Sequence, residues 1–319
     1  MTQGIEFNEF TLNPGVAIAP VIYQGARHQV TPWGATVGPD IAGELQRFVQ
    51  EYAWHVGAHQ PFFRIDVYPS GSHLAILEVN TCFVDGWGTA ANLSRATGIP
   101  VPLERIGFPR CLGWHGSNVY LPELELLVSE LAIRGANDYH ICKYDNRRPG
   151  CHGEPCYLYG RIAGPNVWPL NGLTLDNKSY LATFGHRWSS QHVIVPAHYT
   201  SADTPWDGIP ADAVLKLTDK SDPATAIVRW SVRLGKPQGK AKFLRQLYAE
   251  GRLIAQARVT GLKRSVPDFP YERYTQLVVL AGGDSQSGNA LLAGYVQYAA
   301  WHIVTDDSVH GPLIFEARN

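Results

Sequence analysis

The chain has 319 residues, and its 27 Lys and Arg against 28 Asp and Glu leave a formal net charge of -1. A surface that tracks phosphates normally shows a clear basic excess, so broad nucleic-acid binding is excluded as an expectation. Hydrophobic residues make up 45% and charged residues 17%, which supports a buried core and argues against extensive disorder.

The length suggests about two domains. No apolar run of about 18 residues occurs, and Met1 to Phe10 lacks the basic start and apolar centre of a signal peptide. No membrane partner and a cytoplasmic location are therefore expected. Five cysteines, an odd number, do not suit a secreted disulfide framework.

The first predicted helix runs from about Asp40 to His55, where Ile41, Leu45, Phe48, Val49 and Tyr52 recur on one face and should pack on a sheet. Two strands follow, Phe62 to Tyr68 and Leu74 to Asn80, joined by the turn residues Pro69 to His73. A second amphipathic helix covers Leu121 to Arg134, with Pro122 in its first turn and Gly135 as its stop. A strand at Tyr139 to Lys143 is next. Cys151 to Gly172, rich in Pro, Gly and aromatic residues, reads as a loop region or domain connection. Beyond it the pattern predicts a short helix at Lys178 to Phe184 and strands at His192 to Pro196 and Ala213 to Leu217. A helix at Phe243 to Ala249 precedes strands at Leu253 to Val259, Tyr274 to Ala281 and Gly294 to Tyr298.

Four cysteines, Cys111, Cys142, Cys151 and Cys156, lie close together in the chain. His140, Cys142, Cys151, His152 and Cys156 offer ligands of the type that hold zinc tetrahedrally. The paired two-residue spacings of zinc ribbons are missing, and reduced structural thiols are the simpler reading. His55 and His59, one helical turn apart, lack the Glu of a HExxH metal motif and read as ordinary histidines. Arg273 reads as an exposed Arg in preference to a substrate-carboxylate ligand. Nucleophile-elbow, dinucleotide-binding and P-loop patterns are absent.

The strongest chemical signal is the pair of strands Phe63-Arg64-Ile65-Asp66-Val67 and Ile76-Leu77-Glu78-Val79-Asn80. Side chains alternate across a strand, so Arg64 and Asp66 share a face, as do Glu78 and Asn80, while Ile65, Val67, Leu77 and Val79 should turn to the buried side. Two carboxylates and an amide clustered there are costly unless they meet a cation. Hard oxygen ligands of this kind suit magnesium, which commonly takes one or two carboxylates, water and nucleotide phosphate oxygens. The bland alternative is a solvated polar face of an amphipathic ribbon.

Arg-x-Asp on one strand and Glu-x-Asn on the next resembles the metal-binding signature of the ATP-grasp superfamily. The resemblance implies that Asp66, Glu78 and Asn80 bind Mg2+ ions on ATP and that Arg64 holds an acyl phosphate. Later segments resemble the opening half of such a domain: Leu175-Asp176-Asn177-Lys178, Val193 to Pro196, and Val214-Leu215-Lys216-Leu217. Leu253-Ile254-Ala255-Gln256 resembles the adenine-side hinge strand, with Gln256 where a carboxylate is more usual. Lys178, Lys216 and Gln256 are thereby implied as nucleotide ligands, with Lys220 as a further phosphate ligand. The turn Thr218 to Pro223 contains no glycine, unlike a typical phosphate-covering loop.

Because the Glu-x-Asn hairpin precedes the lysine strands, the order is similar to the circularly permuted glutathione synthetase and glutathionylspermidine synthase group. The implied fold is α+β: residues 1–100 as the metal-binding half, 101–172 as an inserted α/β substrate-side domain, and 173–319 as the nucleotide half. The implied activity is ATP-dependent ligation of a small-molecule carboxylate to an amine through an acyl phosphate, releasing ADP and phosphate. Two alternatives belong to other classes: a non-catalytic nucleotide- or partner-binding module on the same scaffold, and a zinc-stabilised binding domain centred on Cys142 to Cys156.

Overall fold

The computed structural model describes residues 4–18, 21–23, 26–70, 73–82, 84–116, 118–144, 154–160, 166–169, 172–218, 227–229, 238–267, 269–300 and 308–317. Strands β1 (Ile5–Glu9), β2 (Val21–Tyr23), β3 (Ala26–Val30) and β4 (Trp33–Val37) lead into helix α1 (Pro39–Val56). The hairpin β5 (Phe62–Ser70) and β6 (His73–Asn80) follows, then α2 (Trp87–Ala96). Next come β7 (Cys111–Trp114), α3 (Leu121–Ile133), β8 (His140–Lys143), β9 (Cys156–Tyr159) and β10 (Val167–Trp168). After α4 (Gly172–Leu175), α5 (Lys178–Gly185) and β11 (Val193–Ile194), the chain forms β12 (His198–Tyr199), β13 (Val214–Leu217), β14 (Ile227–Arg229), α6 (Gln238–Ala249) and β15 (Leu253–Gln256). It ends with β16 (Lys263–Arg264), β17 (Arg273–Gly283), β18 (Ala290–Ala299) and β19 (Val309–Phe315).

These elements make a mixed α+β architecture on three sheets. The main sheet has the order β1-β4-β19-β18-β17-β5-β6-β11, with β2, β3 and β16 paired to its members. A parallel sheet has the order β10-β9-β7-β8, and an antiparallel one the order β12-β15-β13-β14.

Helix α1 buries the predicted stripe Ile41, Leu45, Phe48, Val49 and Tyr52 against one face of the main sheet, where it meets Ile65, Val67, Val79 and Leu277. Phe184 of α5 joins this layer edge-on to Phe48, with ring centroids 5.4 Å apart. The opposite face, from Phe62, Val278 and Leu280, packs on α2, α3 and the parallel sheet through Trp87, Leu124, Leu127 and Tyr157. A third core lies between α6 and the antiparallel sheet, formed by Leu215, Leu244, Leu247 and Leu253. The predicted stop of α3 holds: Gly135 follows the helix at φ 85°, a conformation a Cβ would strain.

Two expectations need correction. The stretch read as a loop, Cys151 to Gly172, contains β9 and β10; β9 is buried at every residue, so its short run Cys156-Tyr157-Leu158-Tyr159 shows no polar alternation. Leu77, assigned by alternation to the buried side, is only half-buried because a bulge interrupts the hairpin beside it.

Candidate active site

The β5–β6 register places Arg64 opposite Asn80 and Asp66 opposite Glu78, so all four side chains occupy one face, as alternation requires. Two carboxylates directly opposite across strands repel each other, and positive groups flank both. Arg64 donates from Nε to Asp66 Oδ1 at 3.2 Å and from a terminal guanidinium nitrogen to Asp85 Oδ1 at 2.5 Å. Lys178 Nζ lies 3.9 Å from Glu78 Oε1. The side chains of Arg64, Asp66 and Glu78 are 12%, 18% and 17% exposed, so the cluster opens on a narrow strip of solvent while most of its charge is shielded. Charges so far removed from water need partners of opposite sign.

Immediately after Asp66 the register slips by one residue, with Val67 opposite Ile76, and Leu77 is left without a cross-strand partner. Its carbonyl accepts from Lys216 Nζ at 2.7 Å and from Gln256 Nε2 at 3.2 Å. The antiparallel sheet therefore docks on the hairpin at the bulge. Pairing of His198 with Gln256, of Val214 with Gln256, and of Lys216 with Ile254 puts Lys216, Gln256 and His198 on one face, all buried. Leu215, Leu253 and Ala255 turn the other way, under α6. Gln256 Nε2 donates to the unprotonated Nε2 of His198 at 3.1 Å. Burial, reinforced by the Lys216 ammonium, depresses the His198 pKa to about 3, so the imidazole is neutral at physiological pH.

Lys178 opens α5, where Asn177 caps the helix by accepting from the Ser179 backbone N–H at 2.9 Å. The preceding Asp176 accepts from the Thr81 backbone N–H at 3.2 Å and from Cys82 Sγ at 3.0 Å, clamping the entry to α5 onto the end of β6. The Lys178 backbone N–H donates to the Thr218 carbonyl just past β13. One aspartate thus fixes where the Lys178 ammonium stands relative to Glu78.

Behind the hairpin face lies a buried polar layer. Glu123 of α3 accepts from the Gly88 and Thr89 backbone N–H groups at 2.8 and 3.3 Å and from the Thr89 hydroxyl at 2.6 Å, satisfying the start of α2. Burial, with a smaller contribution from the negative charge of Asp85, pushes its pKa up to about 7. Asp85 therefore joins Arg64 on the open side to this layer within.

Arg64, Asp66, Glu78, Asn80 and Lys178 are thus gathered at one place, and Lys216 and Gln256 reach the same hairpin at Leu77. Lys220 lies outside the described residues. Asp85, Asp176 and His198 belong to the assembly although the sequence reading did not single them out. Asp176 sits in the Leu175-Asp176-Asn177-Lys178 segment already marked, whereas Asp85 and His198 stand in no periodic pattern. Helix α1 ends at Val56, so His59 is off the helix that carries His55, and His55 instead hydrogen-bonds to Thr183 Oγ1 at 3.1 Å. Arg273 stacks over the Phe269 ring at 4.3 Å. Among the described residues no helix is long and apolar enough to cross a membrane.

The donor set suits magnesium: two carboxylates and an amide oxygen on adjacent strands leave the remaining octahedral positions to water and phosphate.

No protein-family model and no curated protein matches the sequence. Among solved structures the chain is similar to a crystal structure described as a "putative gamma-glutamylcysteine synthetase" from Methylobacillus flagellatus KT. The identity is 9% and the TM-score 0.39, over 84% of this chain and 82% of that one. A likeness of this degree leaves the chemistry to the residues of the site itself.

Proposed function

We propose that the chain is an ATP-dependent carboxylate–amine ligase of circularly permuted ATP-grasp architecture. The observation that carries this reading is convergence on one hairpin from segments remote in sequence: Lys178 faces Glu78 on the side that bears Arg64, Asp66 and Asn80, and Lys216 and Gln256 reach the Leu77 carbonyl beside it. A solvated amphipathic ribbon would not collect two buried lysines.

In this reading Lys178 and Lys216 grip the ATP phosphates as point charges, and Gln256 faces the adenine with the neutral His198 behind it. Asp66, Glu78 and Asn80 would hold Mg2+, which neutralises charge on the phosphoryl group being transferred. The substrate carboxylate attacks the terminal phosphorus, and ADP leaves. Arg64, its fork oriented by Asp66 and Asp85, stabilises the acyl phosphate through paired N–H donors. A substrate amine then attacks the acyl carbon and expels phosphate, losing its proton as the amide forms.

The test is incubation with ATP and Mg2+ and pools of amino acids, polyamines and peptides, followed by mass spectrometry. ADP, phosphate and a product lighter by one water than its two precursors are expected. AMP and pyrophosphate would overturn the acyl-phosphate route. Magnesium-dependent ATP binding without turnover in any pool would favour the non-catalytic module.

A further inference from the structure

The parallel sheet carries a second cluster, separate from the hairpin site. Cys111 of β7, Cys142 of β8 and Cys156 of β9 come from three adjacent strands, and their sulfurs all lie within 4.8 Å of one another. The separations are 2.8 Å for Cys111 and Cys142, 3.3 Å for Cys111 and Cys156, and 3.9 Å for Cys142 and Cys156. Cys111 and Cys156 are buried, and solvent reaches the half-buried Cys142.

The sheet makes room for this convergence at Gly113, which pairs with Cys142. A Cβ there would come within 2.7 Å of the Cys156 sulfur and 3.3 Å of the Cys142 sulfur, so any other residue would push the thiols apart. The trio differs from the zinc-type ligand set that the sequence offers beside its simpler reading of structural thiols. Cys111 replaces His140, which is exposed at the start of β8, and Cys151 and His152 lie outside the described residues.

We propose that Cys111, Cys142 and Cys156 form a thiolate site for a thiophilic metal ion of the zinc type. A disulfide would use two sulfurs and strand the third, whereas an ion engages all three. Thiolates bound at about 2.3 Å around a tetrahedral ion stand about 3.8 Å apart, so the closest pair here needs to open by only about 1 Å. Soft sulfur donors select ions of this class over magnesium or calcium. Binding displaces the thiol protons to solvent, so occupancy falls as pH falls. By bridging β7, β8 and β9, the ion would tie together three short strands of four residues each.

The full chain, purified with reductant and without chelator, is loaded with zinc alone, dialysed and analysed for metal. One equivalent of zinc per chain is expected, and cobalt substitution should give a thiolate-to-cobalt charge-transfer band. Cys142→Ser and Cys156→Ser should each weaken zinc binding by roughly tenfold or more, since loss of a ligand should cost at least what loss of an outer-shell partner does. Cys82→Ser, whose sulfur is not a member of the cluster, should retain the metal. A wild-type protein that retains no zinc and shows no cobalt band overturns the proposal, even if the variants fail to fold. So does equal zinc retention in both cluster variants, or a Cys111–Cys142 disulfide in freshly isolated protein. ATP turnover is not a readout, so the outcome is independent of the ligase reading.

Discussion

Replacing Lys216 by Met removes one ammonium and little volume from the face where the antiparallel sheet meets the hairpin. Lys216 is 5% exposed, and its Nζ donates to the Leu77 carbonyl at 2.7 Å. A hydrogen bond from a charged donor contributes about 1.5–3 kcal/mol, but the Leu77 carbonyl keeps Gln256 as a donor, and Met avoids the cost of burying a charge. The two effects offset each other, so stability in urea should stay within about 1–2 kcal/mol of wild type. Nucleotide binding should respond differently. Loss of a desolvated charge that faces phosphate costs about 2–5 kcal/mol, which is about 30-fold to 4,000-fold in Kd. Calorimetry with Mg2+ and a non-hydrolysable ATP analogue measures it, alongside urea unfolding of the same samples. The His198 pKa, depressed in part by the Lys216 charge, should rise in the variant when followed by NMR. Wild-type nucleotide affinity in a folded Lys216→Met protein would refute the phosphate role, and an unchanged His198 titration would refute the electrostatic coupling.

Asp66→Asn and Glu78→Gln keep side-chain volume and remove negative charge, so each should lower turnover by about 10²–10³ or more while circular dichroism stays native. Full activity in Glu78→Gln would contradict the metal role. Arg64→Lys keeps the charge but loses the fork that spans Asp66 and Asp85, and a similar loss in kcat is expected; wild-type kcat would show that the planar geometry is dispensable. Glu123 gives a pH signature in stability. Its folded pKa of about 7 lies above the ordinary 4.5, so the folded state holds a proton that the unfolded chain has lost between these values. Its stabilising contribution is complete below pH 4.5 and is lost as pH rises to about 7, at no more than about 1.4 kcal/mol per pH unit. Subtracting Glu123→Gln unfolding free energies from those of wild type across this window should isolate that slope, and a flat difference would rule it out.

Local pattern determined a good deal of this protein. Helix α1 and the β5–β6 hairpin were legible because each has one buried and one more polar face, so a period of 3.6 or 2 shows in the residue types. The same alternation puts Arg64 with Asp66 on one face of β5 and Glu78 with Asn80 on one face of β6, and the register joins the two pairs. Where burial is all-round, that signal vanishes. In α2 every residue except Arg95 is buried, and no amphipathic stripe marks it. The interior strand β19 contains Gly311 and Pro312, both of which speak against a strand. The bulge that turns the Leu77 carbonyl toward Lys216 and Gln256 also has no local signature, because register depends on what both neighbouring strands require. Only tertiary structure brought Asp85 to Arg64, Asp176 to Thr81, His198 to Gln256 and Cys111 to Cys142. Such contacts join positions from about 20 to about 95 residues apart, and the free energy that selects them comes from burial and pairing of whole faces, which no short window of sequence contains.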